Sequence, residues 1–188
     1  TKIEACLVGV DGDVVPGSRM RVPTGPTIDP EGLRVAAAEV VTGALSAARQ
    51  ADVVGIGVGS AGPVDTVAGT IAPLNLPAAK DFPLVDAVRS ALPDRLRPIP
   101  VAFALDGQCI AIAEHWKGAG TGVGTMLGMV VSTGIGGGLV LGGRPVGGGT
   151  GNAGHIGQVE VADFAEPGVR GLEATVERIA SGPNIVRW

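Results

Sequence analysis

The amino-acid sequence predicts an α/β fold, because apolar runs of strand length alternate with segments of helical periodicity along its 188 residues. Hydrophobic residues make up 45% of the chain and charged residues only 17%, a balance typical of a globular protein rather than a disordered one. The 32 glycines follow no collagen-like period and gather in discrete loops, so we expect glycine-rich loops on a folded core.

The net charge, the apolar runs and the cysteines limit the classes of protein to which the chain can belong. The net charge of −4 disfavours a general nucleic-acid or anionic-membrane surface. No apolar run reaches transmembrane length, and no basic-then-apolar signal segment opens the chain. Cys6 and Cys109 lie in apolar stretches, which indicates buried thiols in a reducing compartment. We therefore expect a cytoplasmic protein without a membrane partner.

The first half of the chain predicts strands that alternate with helices. Asp29, Pro30 and Glu31 mark a helix start, with an N-cap, a proline at the first helical position and an acid in the first turn. The predicted strands cover residues 3–10, 14–15 with 18–22, and 53–58, with a turn at 11–13. The predicted helices cover residues 29–50 and 83–92. Residues 66–79 predict irregular structure.

A glycine-rich loop follows the strand at residues 53–58. Its sequence, Gly-Ser-Ala-Gly-Pro-Val-Asp at residues 59–65, allows the backbone to approach a ligand closely, and it is equally compatible with a tight surface turn.

Asp106 lies where an apolar strand pattern (99–105) meets a helix pattern that runs to Lys117 and Gly118. Ligands gather at the carboxyl ends of strands in open α/β sheets, and a helix start adds free N–H groups. Asp106 is therefore either a ligand-facing carboxylate or simply the N-cap of the helix.

The glycine-rich stretch after Lys117 predicts a hinge at residues 118–124. We expect an N-terminal α/β lobe at residues 1–118 and the beginning of a C-terminal α/β lobe at residues 119–188. The chain opens at Thr1 without methionine and stops at Trp188 within an apolar helix pattern, so we expect an incomplete chain.

A second glycine-rich segment, residues 132–138, joins strand patterns at 126–131 and 139–141. It lacks the following helix that dinucleotide and Walker-type loops need. It is longer than a hairpin requires, so we favour a phosphate site over a plain glycine turn. The phosphate-binding residues predicted there are Thr133, Gly134, Gly136 and Gly137.

A third glycine-rich segment, residues 147–157, carries His155 and leads to Gln158. His155 could be a base, a sugar contact or an exposed loop residue, and Gln158 could hydrogen-bond hydroxyls. A return to strand at 159–161 and a helix at 172–180 bearing Glu177 follow, and residues 181–184 break that helix and open another.

Several of these motifs, in this order and spacing, resemble the ROK family of sugar kinases and repressors, which has the two-lobed actin-like ATPase (ribonuclease H-like) fold. The resemblance spans essentially the whole chain. The matching segments are Thr-Lys-Ile at 1–3, the glycine loop at 59–65, Pro-Leu-Asn-Leu-Pro at 73–77, the phosphate loop at 132–138, Gly-Asn-Ala-Gly-His-Ile-Gly at 151–157 and Glu-Arg-Ile-Ala-Ser-Gly at 177–182.

The resemblance implies an ATP-dependent, glucokinase-like sugar kinase in which Asp106 is the catalytic base. It also implies that Mg²⁺ arrives with ATP and that the two lobes close on the substrate. The sugar-binding residues that it suggests are Gly62, Asn75, Asp106, His155, Gln158 and Glu177. Glucose is the default substrate, polyphosphate is the alternative donor, and a homodimer is expected.

Three departures from the family pattern concern the sugar side. Leu105 replaces the usual asparagine before the catalytic aspartate, and His155 and Gln158 replace a glutamate and a histidine. The ligands of the structural zinc found in many members correspond to Gln158, Gly168, Arg170 and Thr175, which are poor zinc ligands. We therefore expect no metal site in this chain and a sugar loop held by packing or hydrogen bonds.

Two alternatives to a kinase stay open. The chain could be the sugar-sensing domain of a ROK-type repressor, in which case an upstream DNA-binding domain would contact nucleic acid. It could also be a catalytically silent sugar-binding relative, because Leu105 and His155 depart from the family pattern on the sugar side.

Overall fold

A computed structural model describes residues 2–47, 53–74, 76–161 and 174–187. The chain forms two compact units. The first unit comprises Thr1–Val58 and Pro63–Phe103, and the second unit comprises Gly59–Gly62 and Ala104–Trp188. The lobe boundary after residue 118 stays a prediction.

Strands and helices alternate, which confirms the α/β class. The strands are β1 (Lys2–Ala5), β2 (Met20–Pro23), β3 (Ile56–Ser60), β4 (Val64–Asp65), β5 (Thr70–Ile71), β6 (Val101–Leu105), β7 (Thr125–Val131), β8 (Ile135–Leu141) and β9 (Arg144–Val146). The helices are α1 (Pro30–Ser46), α2 (Leu84–Ser90), α3 (Asp106–Lys117), α4 (Val176–Ala180) and α5 (Gly182–Ile185), with short 3-10 helices at Pro77–Ala79, Asp94–Leu96 and Ile156–Gln158.

In the first unit, α1 packs on the antiparallel β1–β2 pair and on α2. Gly43 of α1 leaves room for the Met20 side chain of β2, since a Cβ there would lie 2.8 Å from Met20 Cε. Glu4 on β1 forms ion pairs with Arg19 and Arg21, and the pKa of its carboxyl is lowered chiefly by the hydrogen bond from Arg21. The core consists mainly of aliphatic side chains of α1, α2 and the segments around them, including Leu33, Ala37, Val40, Ile71, Phe82, Ala87 and Leu96.

The start of α1 is confirmed. Asp29 is the N-cap and its Oδ1 accepts the Gly32 N–H at 2.7 Å, with Pro30 at the first helical position. The helix ends at Ser46, earlier than the predicted Gln50. The Ser46 hydroxyl donates to the Gly43 carbonyl at 2.7 Å, and such local bonds compete with helix continuation.

The first strand is much shorter than the predicted 3–10, and it is not buried. Val8 and Val10 are 52% and 100% exposed, because residues 9–13 form the predicted turn instead. The Gly9 N–H donates to the Asp13 carbonyl at 2.9 Å, and Gly12 has a φ of +87°.

Cys6 and Cys109 are free thiols and half-buried, so the prediction that they are buried was wrong.

In the second unit, β7, β8 and β9 form an antiparallel sheet that α3 covers. The register runs from Thr125↔Leu141 to Val131↔Ile135. Glycines allow α3 to lie close to the strands, since a Cβ on Gly128 would lie 2.9 Å from Ala111 Cα and one on Gly138 only 2.5 Å from Gln108 Cα. The helix ends at Lys117, as predicted, with Gly118 as its C-cap.

The last described elements are shorter than predicted. Residues 172–173 of the predicted helix lie outside the described residues. Helix α4 begins at Val176, because Thr175 is its N-cap and accepts the Arg178 N–H at 3.3 Å. The predicted strand at 159–161 is reduced to a single bridge between Glu160 and Thr175. A second helix does open after Ser181, as expected. Within the described ranges, no helix has the length and apolar character needed to span a membrane.

Candidate active site

Asp106 is the first residue of α3, and β6 leads into it without an intervening loop. The N-cap position belongs to Leu105, which makes no side-chain capping bond and is 1% exposed. The Asp106 side chain is exposed, and its Oδ1 accepts the Gly107 N–H at 2.7 Å. The N-cap interpretation of Asp106 was therefore wrong, and the residue is exposed to solvent.

Two backbone segments lie against the start of α3. A Cβ on Gly107 would lie 2.5 Å from the amide nitrogen of Gly137 in β8. On the β3 side, a Cβ on Gly59 would lie 2.9 Å from Cys109 Sγ and 3.9 Å from Asp106 Cα. Burial, and secondarily the negative charge of Asp106, raises the pKa of the Cys109 thiol. Asp106 thus lies between the end of β3 and the β7–β8 hairpin.

The turn of that hairpin is shorter than predicted. Only residues 132–134 form it, and the Ser132 N–H donates to the Gly134 carbonyl at 2.8 Å. Gly136 and Gly137 lie in β8 and pair with Val130 and Met129, so placing them in a loop was wrong. Gly137 and Gly138 fit this strand because Ile156 and α3 occupy the space that their side chains would take.

Glu177 joins α4 to this hairpin. Its Oε2 accepts the Ile135 N–H at 2.8 Å, and its Oε1 accepts a hydrogen bond from Gln158 Nε2 at 3.1 Å. A Cβ on Gly134 would collide with the Glu177 carboxylate. The Gly182 N–H donates to the Ser132 carbonyl at 2.8 Å, a second tie between the hairpin and the last helices.

The segment 147–157 packs against the same strand. A Cβ on Gly154 would lie 2.7 Å from Gly138 Cα, and Gly157 is in close contact with the Ile135 carbonyl. His155 immediately precedes the 3-10 helix and is half-buried, and its backbone N–H donates to the Asn152 carbonyl at 3.2 Å.

The second unit brings five of the predicted site residues to the turn end of the β7–β8 hairpin. Asp106, Thr133, Gly134, Gln158 and Glu177 lie on segments linked by the contacts above. Thr133 is exposed and Gly137 is buried. Gly62 is half-buried in the bend that follows β3, and Asn75 lies outside the described residues.

Sequence reasoning missed two groups that hold Glu177. The Ile135 N–H bonds its carboxylate, and Asn184 Nδ2 donates to its backbone carbonyl at 3.3 Å. Neither has a local sequence signal, because the Ile135 contact joins positions 42 residues apart and Asn184 was interpreted only as a helix breaker.

In the part of the chain that the structure describes, no group of three histidine, cysteine or acidic side chains could hold a metal ion. Of the four positions that correspond to zinc ligands, Gln158 bonds Glu177 and Thr175 caps α4, while Gly168 and Arg170 lie outside the described residues. The expectation of a zinc-free chain stays a prediction.

Comparison with known proteins adds the family context. The model of the ROK family matches residues 1–188. N-acetylmannosamine kinase from Escherichia fergusonii is 34% identical over 185 residues, which cover 98% of this chain and 60% of the relative. The chain therefore spans less than two thirds of that relative's length.

Solved structures agree with this match. A ROK hexokinase from Thermus thermophilus aligns over 100% of this chain and 59% of its own, with 33% identity and a TM-score of 0.77. A ROK family glucokinase from Streptomyces griseus, in complex with glucose and AMPPNP, aligns over 100% of this chain and 56% of its own, with 30% identity and a TM-score of 0.79. The actin-like ATPase fold expected from the motifs is thereby confirmed.

Proposed function

The chain belongs to the ROK family, and from this we propose that the whole protein is an ATP-dependent sugar kinase. The relatives favour glucose or an N-acetylhexosamine as the acceptor, since one is an N-acetylmannosamine kinase and another is a glucokinase with bound glucose. The same glucokinase carries AMPPNP, an ATP analogue, which supports ATP as the donor.

One observation carries the proposal: an exposed carboxylate, Asp106, that is not used as a helix cap, beside a strand hairpin whose turn is open to solvent. Phosphoryl transfer needs positioning and an oriented nucleophile more than covalent help from the protein. A single carboxylate within hydrogen-bond reach of a sugar hydroxyl can supply that orientation.

In the proposed reaction, Asp106 accepts the proton of the attacking sugar hydroxyl. The sugar oxygen forms a bond to the γ-phosphorus of ATP, the bond from that phosphorus to the β–γ bridging oxygen breaks, and ADP leaves with the electron pair. Mg²⁺ enters as part of the nucleotide substrate, held by phosphate oxygens and water, and neutralises phosphate charge.

We assign the phosphate contacts to the hairpin end. The exposed Thr133 hydroxyl and the backbone of Gly134 are accessible there, and Gly136 follows one residue after the start of β8. Gly137 is buried against Gly107, so its part is to let α3 and the hairpin approach each other.

We assign the sugar contacts to Glu177 and His155, with Gln158, Gly62 and Asn75 as further candidates from the family resemblance. Each Glu177 oxygen accepts one protein hydrogen bond, which leaves acceptor capacity for sugar hydroxyls. We also propose a two-lobed protein that closes over its substrates, a homodimeric assembly and a cytoplasmic location.

The test is turnover by the full-length protein with ATP across a panel of hexoses and N-acetylhexosamines, with Asp106→Asn beside the wild type. Loss of the carboxylate should lower kcat by roughly 10²–10⁴-fold, the usual contribution of a positioned base. Asp86→Asn is the matched control, because Asp86 is also an exposed aspartate in the first turn of a helix.

Equal kcat in the Asp106→Asn variant and the wild type would refute the role of Asp106. Calorimetric sugar binding by a wild type that turns over none of the sugars would favour the repressor-type sensor or the silent relative. A DNA-binding domain upstream of residue 1 would favour the sensor.

A further inference from the structure

We infer that Gln158 is a positioning residue, whose side-chain amide holds the Glu177 carboxylate in the orientation that meets the sugar. The inference rests on the proposed function and goes beyond it, because it assigns Gln158 to Glu177 rather than to the sugar itself.

The geometry is a two-point clamp on one carboxylate. Gln158 Nε2 donates to Oε1 at 3.1 Å, and the Ile135 backbone N–H donates to Oε2 at 2.8 Å. The two donors belong to different segments, the 3-10 helix and the first residue of β8. Two donors on the two oxygens fix the plane of the carboxylate as well as its position.

Glu177 needs such a clamp because its own element constrains it little. Helix α4 is only five residues long, and Glu177 is its second residue. A glutamate side chain is among those that lose the most rotamer freedom when held in one conformation. Preorganised donors remove that cost before the sugar arrives, which strengthens sugar binding.

The same bond links two segments that both lie at the site. Gln158 ends the segment that begins at residue 147, and Glu177 lies 19 positions further along the chain. The hydrogen bond therefore ties the proposed sugar loop to α4 with side-chain atoms alone. Since Nε2 is engaged with Glu177, its amide hydrogens are only partly available to a sugar hydroxyl.

The decisive experiment compares Gln158→Ala and Gln158→Glu in the full-length protein, with the sugar identified by the panel above. Gln158→Ala should raise the sugar KM about tenfold, as expected for losing one hydrogen bond to a charged group, with little change in kcat or in the KM for ATP. Val159→Glu is the charge control, since it adds a carboxylate at the neighbouring position, where the side chain is 53% exposed.

The pH dependence of the sugar KM in Gln158→Glu distinguishes a positioning role from a purely structural one, which would leave that pH dependence unchanged. Two carboxylates at hydrogen-bond distance repel when both are charged, and they can share one proton when the pH falls. The sugar KM of this variant should therefore be strongly raised at pH 8 and should fall towards the wild-type value as the pH is lowered. The other titratable or charged groups on the segments that pack here are unchanged between variants: Asp106, His155, Glu160, Arg178 and Arg187.

The outcomes separate this inference from the proposed function. A wild type that turns over sugar, with a Gln158→Glu variant whose sugar KM follows the wild-type pH dependence, overturns the positioning role alone. A Gln158→Ala variant that lowers kcat while leaving the sugar KM unchanged overturns it too. A wild type that neither binds nor phosphorylates any sugar overturns both.

Discussion

The two glycine-rich segments that meet at the site, residues 132–138 and 147–157, use glycine for different physical reasons. In the first, the hairpin segment, the glycines have ordinary backbone angles, but three of them, Gly134, Gly137 and Gly138, lack room for a Cβ. In the second, the loop segment, Gly148, Gly151 and Gly154 have φ values of +69°, +86° and +87°. Space is the constraint in the hairpin segment, and backbone conformation is the main constraint in the loop segment.

The difference matters for how the site is held. Close approach between α3 and β8 keeps Asp106 beside the hairpin, so this part is fixed by packing of backbone against backbone. The loop segment reaches the same strand by bending, and its left-handed residues make the bends. The cost of a substitution should therefore depend on the space for the side chain in the hairpin segment and on the backbone conformation in the loop segment.

The largest effect should come from Gly138→Ala in the hairpin segment. A Cβ there would lie 2.5 Å from Gln108 Cα and 2.7 Å from the Gly107 carbonyl oxygen, and backbone atoms cannot yield as side chains do. We expect a loss of about 3 kcal/mol in the free energy of unfolding, the upper range for overpacking. Denaturant titration of the full-length protein measures it.

Gly136→Ala is the matched control, two residues away on the same strand. Its Cβ would lie 3.9 Å from Gly107 Cα, an ordinary van der Waals distance. The unfolding free energy should change by no more than about 0.5 kcal/mol. Equal losses at positions 136 and 138 would contradict the packing account.

An intermediate effect should follow from Gly148→Ala in the loop segment. An alanine held at φ +69° costs about 1–2 kcal/mol, whatever space surrounds it. Asparagine tolerates this conformation better, so Gly148→Asn should recover part of the loss. Chemical denaturation of the two variants in parallel gives the difference.

At Gly138 in the hairpin segment, we expect the opposite order of stability between the alanine and asparagine variants. Gly138→Asn should be less stable than Gly138→Ala, because the larger side chain meets the same backbone atoms. If asparagine is better than alanine at both positions, then backbone conformation rather than space also constrains the hairpin segment.

Local signals in the sequence predicted the start of α1 and the turn after the first strand. Asp29, Pro30 and Glu31 predicted the start of α1 because capping depends on adjacent residues. Residues 11–13 predicted a turn after the first strand, and Gly12 within it has a φ of +87°. Asp106 could be singled out because a strand pattern and a helix pattern meet there.

Features set by distant contacts could not be predicted. Consecutive glycines at 136–138 carry no strand propensity, so the start of β8 at Ile135 is visible only once α3 lies against the strand. Gln158 was interpreted as a hydroxyl contact, and its hydrogen bond to Glu177, 19 residues away, was not predicted. The sequence contains both residues, but their pairing depends on the tertiary fold.

Apart from the Gly136→Ala control, the smallest effect on stability should come from Gly134→Ala, because the atoms near the added Cβ all belong to the flexible side chain of Glu177. Its Cβ would meet the Glu177 carboxylate, which can swing away at a cost of about 1 kcal/mol or less when the bond from Ile135 is lost. The sugar KM should nevertheless rise about tenfold, because the carboxylate leaves the clamp that Gln158 and Ile135 form. Steady-state kinetics and denaturant titration of one preparation measure both quantities.

Gly136→Ala is the control for the sugar KM, since its Cβ crowds nothing. A sugar KM that is raised in Gly134→Ala but not in Gly136→Ala would assign the effect to Glu177. An unchanged sugar KM in both variants would show that sugar binding does not depend on the orientation of the Glu177 carboxylate.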